Sequence, residues 1–336
     1  MPAVSVILLA WNSGSLLRPA VESILDQTMG DLELVIVDNG SSDGAVERVL
    51  AARPDPRVKV LRHPRNLGIG AGTASGIAVA TAPWIALMDS DDRSHPMRLE
   101  LQLKAATADP SLDLLGTAIT NIDADDRPLG TWPAFYDPDD IKLYATYAMP
   151  IGHPTLMGRA DVFRTVPYRA EFDIVADFDF LVRASERFKI GAVSVPLYFY
   201  RRYPGSTTIG RLSEGEAYAC AIRLVTARRR AGRPERLDEA MADVRALLAD
   251  GRSLGEIFGH FAACCHTEGF PLLAAFHGAL EVRGRKTPGA TLRFLRYTLA
   301  ALRADPGATR WALGAMGKAP FWILLKRAGF PAFPRY

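Results

Sequence analysis

Residues 84–92 have the sequence WIALMDSDD, an apolar run that ends in three carboxylates within four positions. The run is short and follows Pro83, so it predicts a buried β-strand. In an open α/β sheet, ligands bind at the edge formed by the carboxyl ends of the parallel strands. Carboxylates crowded there repel one another, and a hard divalent cation with a bound phosphate is a common compensation. The alternative is an acidic turn or helix cap, where Asp is also frequent.

Upstream of this run, short apolar strands alternate with helical patterns. Strands are predicted at 4–9, 34–37 and 58–61, and helices at 16–25, at 45–52 and through Ala80 after the glycine-rich segment 66–72. Because the connections are short, we predict an α/β fold with a mostly parallel sheet and helices on both faces. Asn12, Asp38 and the acidic group 89–92 each follow a predicted strand, so they are expected at one edge of the sheet.

The pattern changes beyond residue 110. Further strands are expected at 112–117 and 192–200, and helices and loops from about residue 213 onward. A chain of 336 residues with 49% apolar side chains is long enough for a large domain with an appendage. We therefore predict a domain over 1–210, followed by a mainly helical region over 211–336.

The charge distribution is uneven. Residues 283–336 contain eleven Lys and Arg but a single acid, a net charge of +10, whereas residues 1–282 carry −7. A basic tail on an acidic body indicates an anionic partner for the tail. The three cysteines form no even framework, and the N-terminus lacks the basic segment of a signal peptide. The expected location is the cytoplasm.

Seven short segments follow one another at regular spacing between residue 3 and about residue 208. They are 4–12 (VSVILLAWN), 38–43 (DNGSSD), 66–68 (NLG), 89–92 (DSDD), 153–157 (HPTLM), 177–183 (DFDFLVR) and 200–207 (YRRYPGST). Each is weak alone, but the ordered set resembles the inverting family 2 glycosyltransferases of the GT-A fold.

The resemblance implies transfer of a sugar from a nucleotide-diphosphate donor, most commonly linked to UDP, to a saccharide or lipid-linked hydroxyl in polysaccharide biosynthesis. It implies Mn²⁺ or Mg²⁺ at Asp91, with Asp89 either a second ligand or bonded to the ribose. Residues 1–110 would bind the nucleotide sugar, and 111–210 the acceptor. The implied donor-binding residues are Leu9, Ala10, Asn12, Asp38, Arg65, Asn66, Gly68, Asp89 and Ser90.

Inversion needs a carboxylate that takes the proton from the acceptor hydroxyl. Asp177 aligns with the catalytic aspartate of the family, and the alternative role for it is a helix N-cap. Asp179 is expected to support the same site or to cap the following helix. His153 is expected to line the sugar or acceptor pocket, and Arg201 and Arg202 are expected to meet the diphosphate. Trp11 is expected to pack as a core residue.

The chain departs from the family pattern in three places. Gly72-Thr73-Ala74 stands where Ala-Arg-Asn is usual, so Arg65 is a candidate for the missing polar contact to the donor. Ala176 replaces an acid that often precedes the catalytic aspartate. Tyr203 replaces a histidine that is sometimes a metal ligand. Metal affinity is therefore expected to differ from that of other members.

The basic tail contains Leu292, Leu295, Leu299 and Leu302 on one helical face, flanked by arginines. A later run, 319–327, is aromatic and apolar but too short to span a bilayer. Such a helix suits an anionic membrane surface. Packing on the catalytic domain and a dimer contact are the alternatives, and no motif indicates nucleic acid.

Two other functions fit parts of the pattern. A sugar-phosphate nucleotidyltransferase would need an early glycine-rich basic loop, which residues 8–18 lack. A non-catalytic nucleotide-sugar-binding protein on the same scaffold remains open. A dinucleotide oxidoreductase is excluded because the glycine-rich segment follows the third strand rather than the first. An acceptor wall is expected among the aromatic residues Trp132, Phe135, Tyr136, Tyr144 and Tyr147, since aromatic rings stack on sugar faces, and an ordinary core is the alternative.

Overall fold

The computed structural model describes residues 1–132, 134, 137–172, 174–206, 210–285 and 287–304. Two compact units make up the chain, the first over Met1–Gly210 and the second from Arg211 onward. Phe135, Tyr136, Thr207 and the run 319–327, all named in the sequence predictions, lie outside the described residues.

Nine strands form one sheet within the described part of the first unit. Its spatial order is β3-β2-β1-β4-β8-β6-β9-β5, and β7 pairs with β6 off this path. The strands are β1 Val4–Ala10, β2 Leu32–Asp38, β3 Val58–Arg62, β4 Trp84–Asp89, β5 Arg93–Ser94, β6 Leu114–Ile122, β7 Pro128–Trp132, β8 Met157–Arg159 and β9 Ile190–Arg201.

The first four long strands run parallel, as predicted: β1 pairs with β2 and β4, and β2 pairs with β3. The rest of the sheet is mixed, because β8 is antiparallel to both β4 and β6, while β9 is parallel to β6. The mostly parallel sheet expected for the nucleotide-binding half is therefore confirmed, and the strands beyond it make the sheet as a whole mixed. Strands of two or three residues, such as β5 and β8, are too short to show a periodicity in sequence.

Helices pack around this sheet. They are α1 Leu17–Leu25, α2 Ala45–Ala52, α3 Ile69–Val79, α4 Arg98–Ala108, α5 Pro138–Tyr144, α6 Ala160–Thr165 and α7 Ala176–Ser185. The apolar face of α1 is buried through Leu17, Val21 and Ile24, as its spacing predicts. In α3 a Cβ on Gly76 would lie 2.6 Å from Ile7 Cγ2, so glycine lets this helix approach the sheet closely.

The second unit is helical over its described residues. Its helices are α8 Leu212–Arg230, α9 Leu237–Ala249, α10 Leu254–Thr267, α11 Pro271–Arg285 and α12 Pro288–Ala304. Ser253 and Glu256 form a capping box at the start of α10. The three cysteines are free thiols. None of the helices in the described ranges is long and apolar enough to cross a bilayer.

Of the leucine face predicted for α12, Leu292 and Leu299 are exposed and Leu295 is half-buried, and the Leu302 side chain lies outside the described residues. Phe294 and Tyr297 are buried, whereas Leu292 and Leu299 are 70% and 52% exposed. The arginine at position 296 is exposed as well. The helix thus packs through its aromatic side and leaves a leucine and arginine surface uncovered among the described residues.

Candidate active site

The strand register brings the predicted donor residues into one row. Leu9 lies opposite Asp89 in the β1–β4 pair, and Ala10 lies opposite Asp38 in the β1–β2 pair. All four residues stand at the carboxyl ends of parallel strands, where an open α/β sheet builds its sites.

Asn12 joins the loops that follow β1 and β2. Its backbone adopts a φ of 48°, a left-handed conformation that Asn tolerates better than most residues. Its side-chain Oδ1 accepts from the Ser42 N–H at 2.9 Å, and its own N–H donates to Ser41 Oγ at 3.1 Å. Asn12 therefore shapes this edge through the 41–42 loop.

Asp38 is a buried carboxylate at the end of β2. It accepts from the Ser41 N–H at 2.9 Å and pairs with Arg62 Nη1 at 3.1 Å. Nearby, Asp43 accepts from the Ala45 N–H at 3.0 Å at the start of α2. Asp38 is thus anchored by its loop and held against a partly exposed cation.

Asn39 holds the loop before α3, a role that the sequence predictions missed. Its side chain is buried and donates to Asn66 Oδ1 at 3.0 Å and to the Gly68 carbonyl at 3.2 Å. Gly40 lies against the backbone of Arg65, where a Cβ would be 2.4 Å from the Arg65 carbonyl carbon, so only glycine fits. The Asn66 side chain accepts hydrogen bonds from within this loop, whereas Arg65 is exposed.

The acidic loop after β4 is held by residues of β9 and the turn that follows it. Tyr198 Oη accepts from the Asp89 N–H at 3.1 Å, and the Arg201 N–H donates to Asp92 Oδ1 at 2.7 Å. Tyr203 Oη donates to Asp91 Oδ2 at 2.9 Å. These partners are 109 to 112 positions away in sequence, so only the fold brings them to the acids.

Crowding and burial shift the protonation of these acids. Desolvation, together with the Asp91 and Asp177 carboxylates, raises the pKa of Asp89 to about 7. Desolvation also raises the pKa of Asp92 well above its ordinary value, with Asp89 and Asp91 adding to the effect. Both shifts show that the loop holds more negative charge than its protein neighbours offset.

A cation lies beneath the acidic cluster, and the sequence predictions missed it. Arg98 is completely buried, donates from Nη2 to the Leu87 carbonyl at 2.9 Å and stacks over the Tyr198 ring at 5.1 Å. Its charge lowers the pKa of Asp89, but burial and the neighbouring carboxylates outweigh it. At the rim, Ser90 accepts from Ser13 Oγ at 2.7 Å and ties the acidic loop to the loop after β1.

Asp177 is the second residue of α7, and the residue before the helix has an unusual backbone. Val175 has a φ of 56°, a conformation that is strained for a β-branched residue. The Asp177 Oδ1 accepts from the Phe178 N–H at 2.8 Å, and the Asp177 charge adds to burial in raising the pKa of Asp89 and of Tyr168. His153 Nε2 lies 2.6 Å from Tyr168 Oη. Burial lowers the pKa of His153, and the Asp177 carboxylate acts in the opposite direction.

Two residues predicted for the pocket have other partners. Arg201 is buried and donates to the carbonyls of Asp91 and Asp123 and to Asp126 Oδ1. We therefore revise its role from binding a diphosphate to anchoring the loops. Asp179 is likewise buried and pairs with Arg183 at 2.6 Å within α7, which makes it a support for the helix.

Other predicted positions remain accessible. Arg202 is exposed, with its guanidinium 5.8 Å from the centre of the Tyr200 ring. Trp11 is 52% exposed at the end of β1, so the expectation that it packs in the core was wrong. Of the aromatic residues proposed for an acceptor wall, Tyr147 is buried and Trp132 is 41% exposed.

The acidic loop after β4 is the candidate place for a divalent cation. The described residues contain no group of three or more His, Cys, Asp or Glu placed to hold a metal by themselves. Asp92 Oδ2 is buried and has no hydrogen-bond partner among the described residues, and the acids around it are undercompensated. Mg²⁺-type sites commonly use one or two carboxylates plus substrate phosphates. The residues therefore fit a cation that arrives with a diphosphate.

Residues 5–166 match the family model described as glycosyl transferase family 2. This span is just under half of the 336 residues, and the chain is similar to the family over that span. The chain is a glycosyltransferase, and its mixed sheet with flanking helices is of the GT-A type. The match covers β1 to β8 but ends before α7 and β9, so Asp177 and the residues that hold the acidic loop lie beyond it.

Curated relatives of this glycosyltransferase differ in how much of their length it spans. It is 27% identical over 223 residues to an uncharacterised glycosyltransferase of Methanocaldococcus jannaschii, which covers 65% of this chain and 77% of that protein. It is 27% identical over 216 residues to the hyaluronan synthase of Pasteurella multocida, with 63% of this chain and only 22% of that protein covered. The chain thus spans less than a quarter of the second relative.

Solved structures share the fold at low identity. TarS of S. aureus in complex with UDP superposes with a TM-score of 0.60 and 17% identity, over 91% of this chain and 92% of that one. The mannosyltransferase PcManGT of Pyrobaculum calidifontis, in complex with GDP-Man and Mn²⁺, gives a TM-score of 0.51 and 19% identity, over 93% and 83%.

Proposed function

We propose that this glycosyltransferase moves a sugar, with inversion, from a nucleotide-diphosphate donor to a hydroxyl of a saccharide or lipid-linked acceptor. A role in polysaccharide biosynthesis agrees with its similarity to hyaluronan synthase. UDP is the proposed nucleotide, since TarS, which shares the fold, was solved with UDP.

The observation that carries this proposal is the strand register, which sets Leu9 opposite Asp89 and Ala10 opposite Asp38 at the carboxyl ends of β1, β2 and β4. Asp177 stands on α7, and its charge adds to the burial and to Asp91 in raising the pKa of Asp89. A candidate base close to a candidate cation-binding loop is what a single-displacement transfer requires.

The donor side uses the edge formed by β1, β2 and β4. Asp38 offers a carboxylate that its loop and Arg62 hold in place, and an acidic residue at this edge is suited to hydrogen bonds from a base or ribose. Trp11 presents an exposed ring beside the same edge, and aromatic faces stack on planar groups. Leu9, Ala10, Asn66, Gly68 and Ser90 shape the surrounding backbone.

Asp91 would hold the cation, with Asp89 as a second ligand or a ribose contact. When bound, Mn²⁺ or Mg²⁺ supplies positive charge near the diphosphate that leaves. Asp177 would accept the proton of the acceptor hydroxyl as the new glycosidic bond forms. His153 and Tyr168 lie beside it and would orient the sugar or the acceptor.

The test uses the purified full chain with UDP-linked and GDP-linked sugars, with and without Mn²⁺. Thermal unfolding shows binding, because a ligand that binds the folded state raises its stability. Product release with an acceptor panel, and NMR of the anomeric configuration, test transfer and inversion. Metal-dependent binding without any turnover would favour the non-catalytic alternative, and a retained configuration would contradict the role of Asp177.

A membrane contact is part of the proposal. The uncovered face of α12 combines Leu292 and Leu299 with Arg296, and an anionic lipid surface complements both. We expect the chain to sediment with vesicles that contain phosphatidylglycerol and not with pure phosphatidylcholine. The double variant Leu292→Glu/Leu299→Glu should lose this binding, while Leu212→Glu, at an exposed leucine of α8, should keep it. Equal sedimentation of both variants would refute the assignment.

A further inference from the structure

Tyr203 reaches from the turn after β9 to the acidic loop after β4. Its Oη donates to Asp91 Oδ2 at 2.9 Å, across 112 positions of sequence. The backbone of Tyr203 is held in its turn, since the Ser206 N–H donates to the Tyr203 carbonyl at 3.1 Å. A Cβ on Gly205 would lie 3.1 Å from Tyr203 Cε2, so the turn passes close to the ring.

Tyr203 is, within the described ranges, the one hydrogen-bond donor to the Asp91 carboxylate. Arg201 holds the other end of the same residue, with Nε donating to the Asp91 carbonyl at 2.8 Å. The backbone of Asp91 is thus held by Arg201 and its side chain by Tyr203, two positions further along the chain. Asp91 is half-buried, so its outer face stays open to a ligand.

The chemistry of this bond leaves room for a cation. A phenol donates one hydrogen to a carboxylate oxygen that has two lone pairs, and the second oxygen is untouched. A carboxylate oriented in this way has less conformational freedom to lose when it binds a metal.

We infer that Tyr203 is a positioning residue that orients Asp91 for a divalent cation. The inference rests on the proposed function, in which Asp91 is a metal ligand. Tyr203 stands where the family often has a histidine, and it acts here through a hydrogen bond to the ligand. Partners of this kind typically change metal affinity by about 10-fold to 100-fold when they are removed.

The experiment titrates Mn²⁺ by electron paramagnetic resonance in the presence of UDP, and separately of GDP, using the full chain. Tyr203→Phe removes the hydroxyl and keeps the ring, and we expect it to weaken Mn²⁺ binding by about 10-fold. Tyr218→Phe removes the same group from α8 in the second unit and should leave the affinity unchanged. Metal-free nucleotide affinity and the unfolding midpoint of Tyr203→Phe should match those of the wild type.

Asp91→Asn separates the inference from the proposed function. If Asp91→Asn loses Mn²⁺ binding and Tyr203→Phe stays within twofold of the wild type, the positioning role is overturned and the metal role of Asp91 stands. If Asp91→Asn binds Mn²⁺ normally, or the wild type binds none with either nucleotide, the metal assignment itself fails. A parallel loss of metal-free nucleotide affinity in Tyr203→Phe would indicate a general structural role and would also overturn the inference.

Discussion

Buried carboxylates at the two edges of the sheet have pKa shifts of opposite sign. At the amino edge, Glu33 accepts from Ser5 Oγ at 2.5 Å and from the Thr81 N–H at 2.7 Å, and it pairs with Lys59 Nζ at 2.5 Å. Burial alone would raise the pKa of Glu33, but these partners outweigh it and hold the pKa at about 2. At the carboxyl edge, burial and neighbouring acids raise the pKa of Asp89 to about 7.

The difference separates a structural acid from a functional one. Glu33 has its counter-charge and donors built into the protein, so its ionised form stabilises the fold. The acids after β4 lack enough positive charge, and they remain in place because Tyr198, Arg201 and Tyr203 bond to them from β9 and the turn after it. In the proposed function, a bound cation and its diphosphate would supply that compensation.

The largest expected effect is on turnover. Asp177→Asn should lower the transfer rate by about 10²-fold to 10⁴-fold, because it removes the general base, and leave donor affinity within several-fold of the wild type. The rate is measured with the donor identified by thermal shift. Asp161→Asn, at an 89% exposed carboxylate of α6, is the matched control. A rate close to that of the wild type in Asp177→Asn would refute the base assignment.

Two neighbouring arginines sharpen the comparison at the carboxyl edge. Arg201→Met should lower the free energy of unfolding by about 1–3 kcal/mol, since it leaves the Asp123 carbonyl and the Asp126 carboxylate without their buried donor. Arg202→Met, at an exposed side chain, should change it by less than about 0.5 kcal/mol. Urea denaturation measures both, and similar values for the two variants would contradict the anchoring role.

At the amino edge, the pH dependence of stability should reflect Glu33. Its folded pKa of about 2 lies below the ordinary 4.5, so its contribution is fully present above pH 4.5 and is lost as the pH falls toward 2. The loss amounts to about 3 kcal/mol at 1.36 kcal/mol per pKa unit. Glu33→Gln should flatten the dependence over this window, as measured by denaturation at pH 2–6. An unchanged slope would mean that other groups dominate.

The smallest expected effect has the opposite sign. Asp89→Asn removes one of the crowded charges, so it should stabilise the metal-free protein at pH 8 by about 1–2 kcal/mol. The same variant should weaken metal-dependent nucleotide binding. Urea denaturation of Asp89→Asn beside Glu33→Gln tests the comparison directly, since the two should move in opposite directions. Destabilisation of both would show that the two edges are alike.

The parts of the fold that the sequence predicts are those with local patterns. Alternation of β1, β2 and β4 with α1 and α2 predicts the parallel half of the sheet, and the register then places Asp38 and Asp89 at one edge without further information. The strands β5 and β8 are too short to show a periodic pattern of apolar residues in the sequence. The antiparallel pairs they form depend on contacts between distant segments.

The same division holds within the site. Asp89, Asp91 and Asp177 are visible in sequence because they stand beside strand ends or a helix start in a recognisable order. Arg98 and Arg201 are not, since a buried arginine and an exposed one look alike in sequence and only the three-dimensional neighbours distinguish them. Trp11 was misjudged for the same reason, because an aromatic residue after a strand can turn inward or outward.

The hydrogen bonds from the end of β9 also determine how short a working version of this protein can be made. A fragment limited to residues 5–166, the span matched by the family model, would contain every acid of the loop after β4. It would lack the Tyr198, Arg201 and Tyr203 groups that hold those acids, and Asp177 as well. The smallest unit worth expressing or transplanting therefore extends past Tyr203, and a design that copies the acidic motif onto another sheet must copy its distant supports too.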